Sequence, residues 1–227
     1  MLGRLLFTPG ERTPIRLERE QIKGMCLYQV RTDPTGWLGG RRLDRGARLL
    51  RRGGVTRILV PEGFDRWDRL RRRGLHPVET LPFLRAQGAR LVLDALVRQG
   101  IAPRCAVVGL YGQRADRDFA RAARILAPQV RGLVLCAPSG GEELARALQW
   151  EFGLPVRPAG EYTPVCLWLG GAGPERGGEV FSLREDGVDL AGFFPQMEEI
   201  DHLPTLAALW EAGYIPEGKL TFFKRET

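Results

Sequence analysis

Residues 105 to 158, CAVVGLYGQRADRDFARAARILAPQVRGLVLCAPSGGEELARALQWEFGLPVRP, decide the fold. Ala106-Val107-Val108 is a short apolar run that ends in a turn at Gly109-Leu110-Tyr111-Gly112. Uninterrupted apolar runs, as opposed to alternating ones, suit strands covered by helices on both faces. Phe119, Ala122, Ala123 and Leu126 then recur on one helical face, with Arg117, Arg121 and Arg124 outside it. Pro128 ends that helix, and Gly132-Leu133-Val134-Leu135-Cys136-Ala137 is the next strand. Ser139 and Glu142 form the pattern of a capping box before a helix carrying Leu144, Ala145 and Leu148. Gly153 stops this helix, and Leu154-Pro155-Val156 opens a third extended piece. Strand, glycine turn and helix, twice over, predict an α/β fold with a doubly wound parallel sheet.

The rest of the chain supplies a second α/β half. Leu5-Leu6-Phe7 and the alternating Ile15 and Leu17 flank Pro9-Gly10, which predicts an N-terminal hairpin. Met25 to Val30 reads as a strand, and Leu43, Ala47 and Leu50 mark a helix closed by Gly53-Gly54. Ile58-Leu59-Val60 is a buried strand, Phe64, Trp67 and Leu70 anchor a short helix, and residues 82–99 form a long one. Beyond the central stretch, Val165 to Leu169 is a strand, and the glycine-rich residues 170–178 read as a flexible connector. They lack the Gly-Lys-Ser/Thr of a phosphate loop. A hairpin at Glu185-Asp186-Gly187, a helix from Leu203 and a strand at Leu220 to Phe223 complete the chain. The expected division is an arginine-rich half, 1–102, with the N-terminal hairpin, and a Rossmann-like half, 103–227, with a C-terminal hairpin and helix.

Residues 104–158 resemble the nucleotide-binding half of the two-domain shikimate dehydrogenase family, in sequence rhythm and in place along the chain. That resemblance implies a Rossmann-like sheet and NAD(P)-dependent hydride transfer. A dinucleotide fingerprint is G-x-G-x-x-G/A with an acidic residue some ~20 positions on. On that frame the chain reads Leu110-x-Gly112-x-x-Ala115, with Gly109 one residue early. The second strand ends Cys136-Ala137-Pro138, without a carboxylate. Asp116 and Asp118 stand where a pyrophosphate needs the positive end of a helix dipole, although Arg114 and Arg117 offset them. The family's lysine–aspartate pair has no counterpart around Lys23, the only lysine of the first half.

These departures predict a degenerate nucleotide-binding turn with no cofactor, NAD(P) being the alternative. The candidate crevice is formed by Gly109, Gly112 and Arg114 with Ser139, Gly140 and Gly141, and it suits a small anionic ligand. Catalysis finds no constellation: His76 and His202 have no placeable serine or cysteine partner. The four cysteines, Cys26, Cys105, Cys136 and Cys166, lack metal-ligand spacing, so no metal is expected, and all four read as core residues.

Charge is the other signal. The chain carries 34 basic and 27 acidic side chains for a net charge of +7, and residues 1–100 hold 21 of the bases against 10 acids. The excess centres on Arg41 to Arg73. Such a patch suits an acidic partner, nucleic acid included. Against this, the chain has almost no lysine, the arginines lie opposite apolar helix faces, and Trp67 and Phe64 have core spacing. Solvated faces, or pairing with the acidic half, are therefore expected ahead of a nucleic-acid adaptor. No run approaches the ~20 apolar residues of a membrane span, and the start MLGRLLFTPGER does not read as a secretory signal. The expectation is a cytoplasmic binding protein, more regulatory than enzymatic.

Overall fold

The computed structural model describes every residue except 11–13, 158–159, 217 and 225–227. In chain order its elements are β1 (Leu2–Phe7), β2 (Leu17–Ile22), β3 (Met25–Thr32), α1 (Gly39–Arg52), β4 (Arg57–Leu59), α2 (Trp67–Arg71) and β5 (His76–Pro77). There follow α3 (Leu81–Arg98), β6 (Val107–Tyr111), α4 (Arg117–Leu126), β7 (Gly132–Cys136), α5 (Gly141–Phe152) and β8 (Val156–Arg157). The last are β9 (Val165–Trp168), β10 (Glu179–Arg184), β11 (Gly187–Asp189), β12 (Phe193–Gln196), α6 (Leu203–Glu211) and β13 (Thr221–Lys224). The chain is α/β, as its sequence predicts, and falls into two compact units. One holds Met1–Glu79 with Pro204–Ile215, the other Thr80–Leu203 with Pro216–Thr227.

The division therefore lies at 79/80 and not at 102/103, because α3 belongs with the second sheet. Its Gly88 lies so close to that sheet that an added Cβ would stand 2.8 Å from Leu167. Phe83, Leu84, Leu91, Val92 and Ala95 are buried along the same helix. In the first unit the strand order is β2-β3-β1-β4-β5. Here the predicted N-terminal hairpin is corrected. The strand β1 pairs with β3 in parallel, and the hairpin joins β2 to β3. Its turn is Lys23-Gly24, with φ of 49° and 89°, the backbone a two-residue hairpin loop requires. Leu5, Val30, Ala47, Leu50 and Ile58 fill the core between sheet and α1.

In the second unit the order is β11-β10-β9-β6-β7-β8, parallel except for β11. Read from β8 to β10, the parallel strands run 3-2-1-4-5 in order of appearance, the doubly wound order with its reversal between β6 and β9. Helical cover is not symmetrical. Leu167 and Leu183 meet α3, whereas Tyr111, Val134 and Cys166 cluster on the opposite face. That second face lies under loops. Thr163 reaches Cys166 at 2.8 Å, and Gly173 and Gly177 approach Trp168 and Cys166 so closely that added Cβ atoms would stand 3.1 and 2.9 Å from them. The glycines of 170–178 thus serve close packing, where the sequence suggested a flexible connector. The C-terminal ribbon β12–β13 is tied to α3 by the Phe222 N–H, which donates to Asp94 Oδ2 at 3.0 Å. No helix among the described residues is long and apolar enough to cross a membrane.

Candidate ligand cleft

In parallel α/β sheets the turns leaving the carboxyl ends of the strands share one edge, and ligands sit where the strand order reverses. On that edge the turn after β6 and the turn after β7 are joined, next to the reversal between β6 and β9. Gly112 donates its N–H to Cys136 O at 2.8 Å, and Ala115 donates to Ser139 O at 2.8 Å. Arg114 and Ser139 consequently form a parallel bridge. The capping box predicted from Ser139 and Glu142 is not formed. With Ser139 held by the neighbouring turn, Gly140 becomes the residue before α5, at φ 77°, and no side chain caps the helix.

Beside this joint lies a cleft of 860 Å³. Its first wall is Gly112, Gln113, Arg114 and Asp116, and its second Pro138 and Ser139. Leu169, Gly170 and Gly171 follow from the end of β9, Arg184, Glu185 and Asp186 from the β10–β11 hairpin, and Arg85 from α3. Of the six residues expected at the crevice, the structure brings Gly112, Arg114 and Ser139 into its lining. Gly109 is not in the turn; it lies within β6, paired to Val134 and Cys166. An added Cβ there would meet the Tyr111 ring at 2.7 Å and Thr163 Oγ1 at 2.9 Å. Gly140 and Gly141 stand behind the lining, with Gly140 facing Ala115 and Gly141 facing Ala137.

Of the charged groups of the lining, Arg85, Asp116, Arg184 and Asp186 are committed, whereas Arg114 and Glu185 have no partner among the described residues. Arg85 donates to Leu183 O at 2.9 Å and to Leu169 O at 3.3 Å, satisfying carbonyls at the ends of β10 and β9. The Arg184 guanidinium lies 3.8 Å over the Trp168 ring and pairs with Asp186 at 3.1 Å. Asp116 accepts the Phe119 N–H at 3.0 Å and so caps α4. Arg114 makes no side-chain hydrogen bond or ion pair among the described residues. It is the cation left to a ligand.

Sequence reading predicted the hairpin at Glu185-Asp186-Gly187 but assigned neither it nor Arg85 to the site. Only the pairing of β9 and β10 beside β6 carries them to this edge. Two further groups lie on the loop-covered face. Burial pushes the Tyr111 hydroxyl above its ordinary range, with the neighbouring cysteines adding to the rise. Burial likewise raises the Cys166 thiol, against a smaller opposing pull from its hydrogen bond to Thr163. The expectation that all four cysteines are core holds for Cys166 alone. Cys26 and Cys105 are exposed and Cys136 is half-buried. On β3, Cys26 points outward between buried Met25 and Leu27, as strand alternation requires.

The lining offers arginines, carboxylates, one hydroxyl and backbone amides, with no histidine, cysteine or lysine. This inventory suits holding and orienting a polar ligand. Among the described residues no three metal-ligating side chains gather. No protein-family model matches the chain, and no curated protein matches it in sequence.

Proposed function

We propose that the chain is a non-catalytic, cytoplasmic binding protein whose Rossmann-like second unit holds a small anionic ligand at the reversal between β6 and β9. One observation carries this reading: Arg114, without a side-chain partner among the described residues, lines an 860 Å³ cleft where the two joined turns meet. Asp116 argues against a tightly held diphosphate, because its carboxylate occupies the Phe119 N–H at the start of α4. The absence of an acidic residue after β7 argues the same way against a dinucleotide ribose. The doubly wound strand order supports descent from nucleotide-binding architecture, and it is the one feature that favours NAD(P)-dependent oxidoreduction instead.

Calorimetry with phosphate, AMP and ADP tests the reading. The expected result is binding near the millimolar range, about 4 kcal/mol, lost in Arg114→Ala. Gly112→Val is a poorer variant, since a Cβ at Gly112 would stand 2.8 Å from the Phe119 ring and disturb packing as well as the cleft. Silence toward all three anions overturns the proposal. A micromolar constant for NADH or NADPH, followed by cofactor fluorescence, favours the oxidoreductase.

A further inference from the structure

In the first unit, α1 buries Leu43, Gly46, Ala47 and Leu50 and turns its arginines outward. Arg41, Arg45, Arg48 and Arg52 follow one another at spacings of four, three and four, all exposed. At 3.6 residues per turn these positions form one stripe about 16 Å long. None of the four makes an ion pair among the described residues. Arg48 Nε donates only to Asp44 O, at 3.3 Å. Carboxylates nearby are spent on other arginines: Asp33 pairs with Arg42 at 2.8 Å, and Asp44 lies 3.3 Å from Arg69 and 4.0 Å from Arg73. Like charges three and four residues apart destabilise an isolated helix. The stripe therefore opposes folding of α1, with no ion-pair partner among the described residues to offset it.

A second observation lies at the head of the same helix. Trp37, two residues before α1 and one turn ahead of Arg41, is 87% exposed. Trp67, by contrast, packs edge-on against Phe64 at 5.2 Å, in keeping with its core spacing. An exposed aromatic one turn ahead of a row of exposed arginines suits single-stranded nucleic acid, which stacks a base while the cations follow the backbone. A duplex would satisfy the arginines but offer Trp37 no base face. A peptide of acidic residues alone would likewise leave the indole unused.

We propose that Trp37 and the Arg41–Arg45–Arg48–Arg52 stripe form a docking surface for single-stranded nucleic acid. The phosphates run along the helix and one base stacks on Trp37. This activity is separate from the cleft of the second unit. Exposure alone does not make such a site: Trp150 on α5 is 93% exposed, but its helix carries Glu142, Glu143 and Glu151 and only one arginine, Arg146. It serves as the internal control.

Fluorescence anisotropy of a labelled oligothymidylate with the full chain tests the proposal. Four neutralised phosphates predict a loss of roughly fifty-fold in affinity between about 50 and 200 mM salt. Trp37→Ala is expected to weaken binding roughly five- to a hundred-fold, Trp37→Phe to retain most of it, and Trp150→Ala to change nothing. Arg45→Glu with Arg48→Glu is expected to abolish binding. Circular dichroism reports whether each variant is folded, and Arg41→Gln with Arg52→Gln replaces the charge reversal if it is not. The proposal is overturned by no binding at about 50 mM salt, by a duplex or polyglutamate binding as tightly, or by indifference to Trp37→Ala.

Discussion

Asp116 holds one end of α4 and also stands in the cleft, so replacing it separates a structural role from an electrostatic one. Its backbone is extended, and its carboxylate accepts the N–H of Phe119, a residue fully buried against Gly112. Asp116→Ala deletes that bond. Loss of an N-cap costs about 1 kcal/mol, and loss of a negative charge beside the helix dipole adds ~0.3–1 kcal/mol. Asp116→Asn keeps an acceptor oxygen of comparable capping strength and loses the charge alone, so its cost stays below ~1 kcal/mol. At the cleft the two substitutions act alike. Each removes a negative charge that repels an anion by about 1 kcal/mol at contact in water-like surroundings, roughly a five-fold gain in affinity. The expected pattern is thus two stabilities and one affinity: Ala weaker than Asn in chemical unfolding, both tighter than wild type toward phosphate in calorimetry. Equal stability of Ala and Asn would refute the capping argument. Phosphate affinity that falls or stays level in both would show that Asp116 does not face the ligand.

Two other outcomes follow from the packing of the second sheet. Gly109→Ala, although it falls on the family-like glycine, is expected to cost about 1–3 kcal/mol by overpacking against Tyr111 and Thr163 while leaving anion binding intact; denaturant unfolding beside calorimetry checks both halves. Thiol labelling of the native protein should modify exposed Cys26 and Cys105 quickly and buried Cys166 only on unfolding. Because burial raises the folded-state pKa of Cys166 and of Tyr111, both hold their protons longer in the native state. Their contribution is fully present below the ordinary thiol pKa of about 8.5 and declines as pH rises through the raised values. Stability measured from neutral pH upward should fall on the alkaline side, and less steeply in Cys166→Ala.

Much of the fold is written locally. The helix that buries Phe119, Ala122, Ala123 and Leu126 follows from their spacing, and the β10–β11 hairpin follows from Glu185-Asp186-Gly187. The misreadings arise where a local signal was overruled at a distance. Pro9-Gly10 does turn the chain, but β1 carries Leu5 at the centre of a sheet and needs partners on both edges. The charged strand β2, with Glu18, Arg19 and Glu20, suits an edge, so it joins β3 through Lys23-Gly24 and leaves β1 inside. Ser139 and Glu142 have capping-box spacing, yet Ser139 O already accepts the Ala115 N–H, and the helix begins one residue later than that box requires.

The cleft was less legible because its chemistry is not contiguous. Arg85, Arg114 and Arg184 lie on three separate segments, and of the three only Arg114, beside Gly112, stands next to a motif. What unites them is the placement of β9 and β10 beside β6, on the side opposite to β7. Two successive βα units determine that β6, β7 and β8 advance in one direction, but no residue in that stretch states where the fourth strand will land. Once it lands beside β6, the Leu169 carbonyl and the β10–β11 hairpin arrive at the same edge as the Gly112 turn, and Arg85 is drawn across from α3 to satisfy carbonyls at their ends. Of the three arginines, the one beside the glycine turn then becomes the telling one. Arg85 and Arg184 have work inside the fold, whereas Arg114, in a turn whose glycine fingerprint is incomplete, faces the cleft without a partner among the described residues.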